Sequence, residues 1–521
     1  MMRKTIQFMP AGKMFGLAMA GLGMLALCLL LGLMAAVVPP GGLVRLLAVP
    51  AAVAFLIAIW IMPKQKQAPG TLMNWMLLAV LVTVNLWPAY IVKRIGGLPA
   101  LSPIKLAWLV LLVGCGYFIL ASKEPMQRLT TRVKAHPFLI GLVPALLVWR
   151  IATAAAGEQP FAQMFTLTSD LISCYILFFI AVAVLRDEKD VRRMLSVLLV
   201  VGLVQALLAC YESAVKHTLF ERFIPMGTED AALLIDTLKT KFRDGAYRAQ
   251  GTFEHPMVLA EYMAMMLPLA TAVFFATREK LLRYAAVCFM PLAVAVIVYS
   301  RSRSGITVLI ASVILVGILL VMPRKHAGEH SQKASLVVAM LAMLLPVFLL
   351  AGYAALQEVM TLVAGRTAGE MNSTMSRVIM MERGVPLVQN SPIMGYGAGM
   401  GAIKLGMFDG TRFNIDNWWL GISLDAGLPG LVLSFGFFVL AALLGVMTYY
   451  RRDDRAGTVA GMLSISLCML MITKSVLSIP SGFTLAYVLV AALITLQEQP
   501  LGESQSKRHR AASNALAPHP L

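Results

Sequence analysis

Three short polar islands stand in a chain otherwise dominated by apolar residues: Tyr247 to Pro256 (YRAQGTFEHP), Ser300 to Gly305 (SRSRSG) and Asn414 to Trp419 (NIDNWW). An arginine near a bilayer is costly unless an anion or a water-filled cavity receives it. Its planar fork matches a phosphate better than the point charge of a lysine does. Repeated arginines at the edges of apolar runs therefore suggest a site for a phosphate-bearing ligand. Arg248 and Arg303 are the foremost candidates, with Arg301, Arg366 and Arg377 behind them. The competing reading makes these side chains interface anchors or members of ordinary ion pairs.

The composition sets the kind of scaffold that must position these groups. The chain has 521 residues, 59% hydrophobic and 13% charged, with a mean hydropathy of +0.79, whereas soluble domains carry about 25% charged residues. This excludes an ordinary soluble fold. Apolar runs of the ~20 residues needed to cross a bilayer recur along the chain, about 14 in all. They begin near Met14, Leu43, Thr71, Leu106, Phe138, Phe165, Met194, Met257, Tyr284, Ser304, Ser335, Leu428, Thr458 and Phe483. The expected fold is all-α and polytopic. The first run is long and lacks a small-residue cleavage site, so it reads as a retained helix rather than a signal peptide. The six cysteines all fall inside apolar runs, which indicates neither a disulfide framework nor a metal site.

The net charge of +18 is a topology signal. Basic residues crowd the short loops Lys123 to Lys134, Arg186 to Arg193, Arg278 to Arg283 and Arg451 to Arg455. The positive-inside rule makes these cytoplasmic, puts both termini inside and leaves the polar islands outside. No basic stretch is interleaved with aromatics, so nucleic acid is not an expected partner. Arg150, Glu261 and Lys474 lie near or within membrane runs, where they line a ligand path or pair with other buried polar groups.

Two long segments fall outside, 214–256 and 356–417, and loops of that length are usually functional. The first contains Thr228-Glu229-Asp230 before Leu234, Leu238 and Phe242, the pattern of a capped amphipathic helix at the interface. The second reads as helical from Ser373 to Asn390, with Pro386 expected to kink or end the helix early. Its Gly395-Tyr396-Gly397-Ala398-Gly399 stretch reads first as tight turns and only second as a phosphate cradle. The organisation expected is a membrane domain over 1–499 and a disordered cytoplasmic tail over 500–521.

Together these residues form an ordered set of motifs: Arg248-x-x-Gly251-x-Phe253-x-x-Pro256, Ser302-Arg303-Ser304-Gly305, Arg377 leading to Ser391-Pro392-x-x-Gly395-Tyr396-Gly397, and Asp416-Asn417-x-x-Leu420 leading to Gly427-x-Pro429-Gly430. The set resembles the O-antigen ligase and Wzy-type polymerase superfamily, over about Arg248 to Leu433. The resemblance implies transfer of a glycan from an undecaprenyl diphosphate carrier to an acceptor sugar, on the outer side of the bacterial inner membrane, with no metal or nucleotide cofactor. Breaking a sugar–diphosphate bond develops negative charge on the leaving group, which fixed guanidinium groups can stabilise.

The acceptor hydroxyl also needs a base. Ligases of this superfamily commonly present a histidine before the asparagine, but this chain has Asp416. That departure favours a polymerase acting on exopolysaccharide or O-antigen repeat units over a ligase. Asp416 can take the hydroxyl proton if partly desolvated, or simply cap a helix starting at Asn417. His255 is a second candidate base. Asn417, Trp418 and Trp419 are candidate substrate contacts, the indoles stacking on sugar faces or belonging to the interfacial aromatic belt. The expected partners are the lipid-linked oligosaccharide, the bilayer and other polysaccharide-assembly proteins. A lipid-linked oligosaccharide flippase is the rival from another class, although arginines on outside loops argue against transport through a central path.

Overall fold

The computed structural model describes residues 68–88, 91–92, 101–220, 242–243, 245–321, 368–408 and 413–498. The chain divides into two compact units, Met1–Lys64 with Val92–Ser102, and Gln65–Ile91 with Pro103–Leu521. Of the first unit only Val92, Leu101 and Ser102 are described. All that follows concerns the second.

The second unit is a helical membrane protein. In chain order its helices are α1 (Gly70–Leu86), α2 (Pro103–Ala121), α3 (Lys123–Ala135), α4 (Pro137–Ala155), α5 (Pro160–Val184), α6 (Glu188–Val215), α7 (Pro256–Ala276), α8 (Lys280–Tyr299), α9 (Arg303–Val321), α10 (Ala368–Asn390), α11 (Met400–Leu405), α12 (Trp418–Arg451), α13 (Arg455–Thr473) and α14 (Ser481–Gln497). A two-residue-per-strand hairpin, Phe242–Arg243 with Ala246–Tyr247, precedes α7. Among the described residues nine helices are long and apolar enough to span a bilayer, while α1 and α14 are shorter apolar helices. Those nine correspond to the runs expected from Leu106 to Ser304 and at Leu428 and Thr458. The runs at Met14, Leu43 and Ser335, the helix expected after Thr228 and the tail lie outside the described residues.

Helices α7 and α13 form the centre, each with 83% of its apolar stretch enclosed by protein. Both are apolar on all sides, the pattern of a helix surrounded by other helices. Small residues bring backbones close, as membrane packing requires. A Cβ at Gly445 of α12 would lie 2.1 Å from Ser464 Oγ of α13. Serines then stitch the contacts: Ser464 Oγ donates to Ala442 O at 2.7 Å, and Ser466 Oγ to Met265 O of α7 at 2.7 Å.

Two expectations about helix ends are corrected. Helix α10 runs through Pro386 to Asn390; the proline sits on an exposed face, where the carbonyl it deprives of an amide is open to hydration. Helix α12 begins at Trp418 rather than Leu428 and is broken at Gly427, whose φ of 68° and ψ of −174° are non-helical. Pro429 cannot donate to Asp425 O, so the break frees polar groups inside the structure. The glycine-rich loop takes them up. Tyr396 N donates to Leu424 O at 2.7 Å, Gly397 N to Asp425 O at 2.9 Å, and Leu428 N to Pro392 O at 2.7 Å, while Trp149 Nε1 of α4 donates to Ala426 O at 2.8 Å. The Ser391–Gly397 and Gly427–Gly430 motifs are thus two halves of one joint.

Candidate active site

All three polar islands meet at one cavity of about 710 Å³. Arg248, Glu254 and His255 come from the first, Arg301 to Ser304 from the second, and Asn414, Ile415, Asp416 and Trp418 from the third. Ser373 and Arg377 of α10, the 477–480 segment after α13, Arg150 of α4 and Asp425 of α12 also line it.

Three helices present their first turns here. His255 caps α7, its Nδ1 accepting from Met257 N at 3.1 Å. Ser302 Oγ accepts from Gly305 N at 3.2 Å at the start of α9. Asn417 caps α12, accepting from Leu420 N at 3.1 Å. Each helix start carries a partial positive charge of about half a unit, with amides free of intrahelical partners. Met257, Ser304 and Trp418 bring those starts to the cavity wall. The positive ends of three helix dipoles therefore stand at the cavity wall.

The arginines add full charges. Arg248 is buried, and its Nε donates to Ser300 O at 3.0 Å while Ala249 N donates to Tyr299 O at 3.1 Å, joining the first island to the second. Arg301 has a φ of 48°, a left-handed conformation that a non-glycine residue adopts at a cost. Such strain clusters at functional sites. Arg303 Nη2 donates to Thr374 Oγ1 at 3.1 Å, fixing it against α10, where Arg377 stands about one turn further on. Arg366 lies outside the described residues.

Asp416 is half-buried at the same wall, and its Oδ1 accepts from Asn414 Nδ2 at 2.9 Å. Among the described residues no cation pairs with it. The capping role that competed for Asp416 falls instead to Asn417, because the helix starts one residue later than expected. Asn417 thereby spends its side chain on the backbone and does not line the cavity. Because His255 Nδ1 accepts an amide proton, its neutral ring carries the proton on Nε2. In that tautomer it suits donation to an anion better than proton abstraction.

The two tryptophans part ways, since neighbours on a helix point about 100° apart. Trp418 lines the cavity with its ring 4.7 Å from that of Phe483, and its buried Nε1 has no hydrogen-bond partner among the described residues. Trp419 turns away, donating to Met471 O at 3.0 Å and packing edge-on to Phe435. Below this wall Lys474 and Glu261 form a fully buried ion pair at 2.9 Å. Lys474 O accepts from Trp418 N at 2.9 Å and its ammonium donates to Ile479 O, so the pair holds two walls of the cavity. Arg150 is bound to Asp170 at 2.6 Å and Tyr175 Oη at 3.1 Å.

Sequence reasoning did not select Glu254 or Asp425 as site residues, and it left Arg150 between lining a ligand path and pairing with buried polar groups. Glu254 was inside the motif, and Arg150 and Asp425 carry the signal that any ionisable group in a membrane run is a functional candidate. Asp425 receives Gly399 N at 2.9 Å and Gly401 N at 2.8 Å, which explains that acid as the anchor of α11. Gly395, Gly397 and Gly399 all have positive φ angles, and the amides of Gly397 and Gly399 are taken up by Asp425 of α12. Among the described residues no group of histidine, cysteine, aspartate and glutamate is placed to hold a metal ion.

A polytopic helical membrane protein with a cationic, acid-bearing cavity at its helix mouths is the class defined by this geometry. Residues 262–435 match the family model described as O-antigen ligase, and this match supports the resemblance to the O-antigen ligase and Wzy-type superfamily. The matched region contains Arg301, Arg303, Arg377, Asp416 and the break at Gly427, and begins just after the Arg248 loop. A comparison with curated proteins returns no match.

Proposed function

We propose that this protein is a glycan polymerase of the bacterial inner membrane, transferring a growing chain from undecaprenyl diphosphate to the acceptor sugar of a lipid-linked repeat unit on the external face. The observation that carries the reading is the convergence of three helix starts and Arg248, Arg301, Arg303 and Arg377 on one cavity that also holds Asp416. Such a cavity suits a doubly charged phosphate ester beside a group able to take a proton.

In the proposed step the acceptor hydroxyl oxygen bonds to the anomeric carbon of the donor as its proton passes to Asp416. The bond from that carbon to the diphosphate oxygen breaks, and its electron pair leaves with undecaprenyl diphosphate. Arg248 and Arg303 hold the departing oxygens, with Arg301 and Arg377 beside them. These preorganised donors act where charge develops. His255 Nε2–H and Trp418 Nε1–H supply further donors to phosphate or sugar oxygens.

A ligase moving a finished glycan to another acceptor is the second reading, favoured by the description of the matching family. Purified protein supplied with a defined undecaprenyl-diphosphate-linked repeat tests both. The expected products are longer lipid-linked glycans, with Asp416→Asn slowing transfer at least about 10²-fold and Arg303→Lys also impaired because it loses the planar fork. Transfer only to a different acceptor supports the ligase, and full activity in the Asp416→Asn variant removes Asp416 as the base.

A further inference from the structure

The loop that carries Arg248 does not hold itself. Behind it, in the last turn of α6, stands Glu212, completely buried. Its two carboxylate oxygens accept from Tyr247 Oη at 2.5 Å, from Gln250 N at 3.1 Å and from Gly251 N. About two turns earlier on the same helix, Gln205 Nε2 donates to Thr252 Oγ1 at 2.7 Å. The donors to Glu212 flank Arg248 on both sides, from Tyr247 to Gly251. Gly251 turns its amide inward with a φ of 60°, and a Cβ there would lie 3.1 Å from Gln205 Nε2.

The placement of Glu212 runs against two general preferences. The end of a helix carries partial negative charge and disfavours an acid, and a carboxylate out of water is destabilising unless donors surround it. Uncharged residues of similar size would close the same space. What a carboxylate adds is a pair of strong acceptors with fixed geometry, able to grip successive amides of an irregular loop. The loop so gripped delivers Arg248, and beyond it Glu254 and His255, to the cavity.

From this we infer that Glu212 is a positioning residue: it sets the Arg248 guanidinium in register with the leaving diphosphate without touching the substrate. The inference rests on the function proposed above, and its test separates the two. The full-length protein in lipid nanodiscs is titrated with undecaprenyl diphosphate as wild type, Arg248→Ala, Glu212→Gln and the double variant. Glutamine keeps the shape but puts an amino group against amide donors. Each single change is expected to weaken binding about tenfold, the scale of one hydrogen bond to a charged group. The double variant is expected to bind no more weakly than Arg248→Ala alone, because a residue acting through Arg248 has nothing left to act on.

Losses that multiply in the double variant, or a silent Glu212→Gln beside an impaired Arg248→Ala, overturn the positioning role alone. A silent Arg248→Ala overturns the diphosphate assignment and the inference with it. Should Glu212→Gln fail to fold by thermal melting, Tyr247→Phe withdraws one donor from the same carboxylate. It is then expected to give a smaller loss that again vanishes in the Arg248→Ala background, and persistence of that loss overturns the role.

Discussion

Lys474→Met isolates the buried ion pair beneath the cavity. The ammonium and the Glu261 carboxylate lie 2.9 Å apart with side-chain exposures of 0% and 1%, so water offers neither a substitute partner. Removing the lysine strands a carboxylate that keeps the Thr473 hydroxyl, donating at 2.8 Å, but no cation. Breaking a buried pair from one side costs about 3–5 kcal/mol. The lost bond from Lys474 Nζ to Ile479 O adds about 1 kcal/mol, for a total of about 4–6 kcal/mol. Removing both charges is different: Lys474→Met with Glu261→Met leaves no stranded charge, and the Thr473 hydroxyl, released from Glu261, donates instead to Leu470 O at 2.8 Å. The double variant is expected within about 1 kcal/mol of wild type. Reversible unfolding in mixed micelles, followed by tryptophan fluorescence, measures both. A single variant as stable as wild type, or a double variant as unstable as the single, refutes the reasoning.

Gly427→Ala would set a Cβ 2.0 Å from Ile393 O at a φ of 68°, so at least about 2 kcal/mol of stability is expected to be lost in the same unfolding measurement; unchanged stability would show that the joint is loose. The orientation read from the charges is checked by accessibility: a cysteine at the exposed Met371 should react with an impermeant maleimide added outside, and one at Lys134 should not, with the reverse pattern inverting the topology.

The spans were legible because a bilayer demands about 20 apolar residues whatever the tertiary context. The continuity of α12 from Trp418 into the Leu428 run was not, because Asp425, Gly427 and Pro429 interrupt the apolar pattern, and the distant 391–397 loop takes up the polar groups at the break. The cap of that helix was missed by one residue, since aspartate and asparagine serve that place almost equally well. Trp418 and Trp419 were indistinguishable as neighbours; the rotation of one helix decides which reaches the cavity. Arginines at helix mouths were legible through the cost of placing them there. Glu212 was not, because its acid reads as an ordinary loop-side residue until the Tyr247–Gly251 backbone folds over it.

The joint at Gly427 also bears on how such proteins can recombine. The Ile393 carbonyl occupies the place of a side chain at Gly427, and the Pro392 carbonyl accepts from Leu428 N. A hybrid that took its 391–397 segment from one parent and its α12 span from another would join surfaces shaped for different mates, even with every apolar run intact. Ser391–Gly397 and Gly427–Gly430 are therefore expected to be inherited as a linked pair. Crossovers that fall before Ser391 or after Gly430 should yield folded hybrids, and those between them should not.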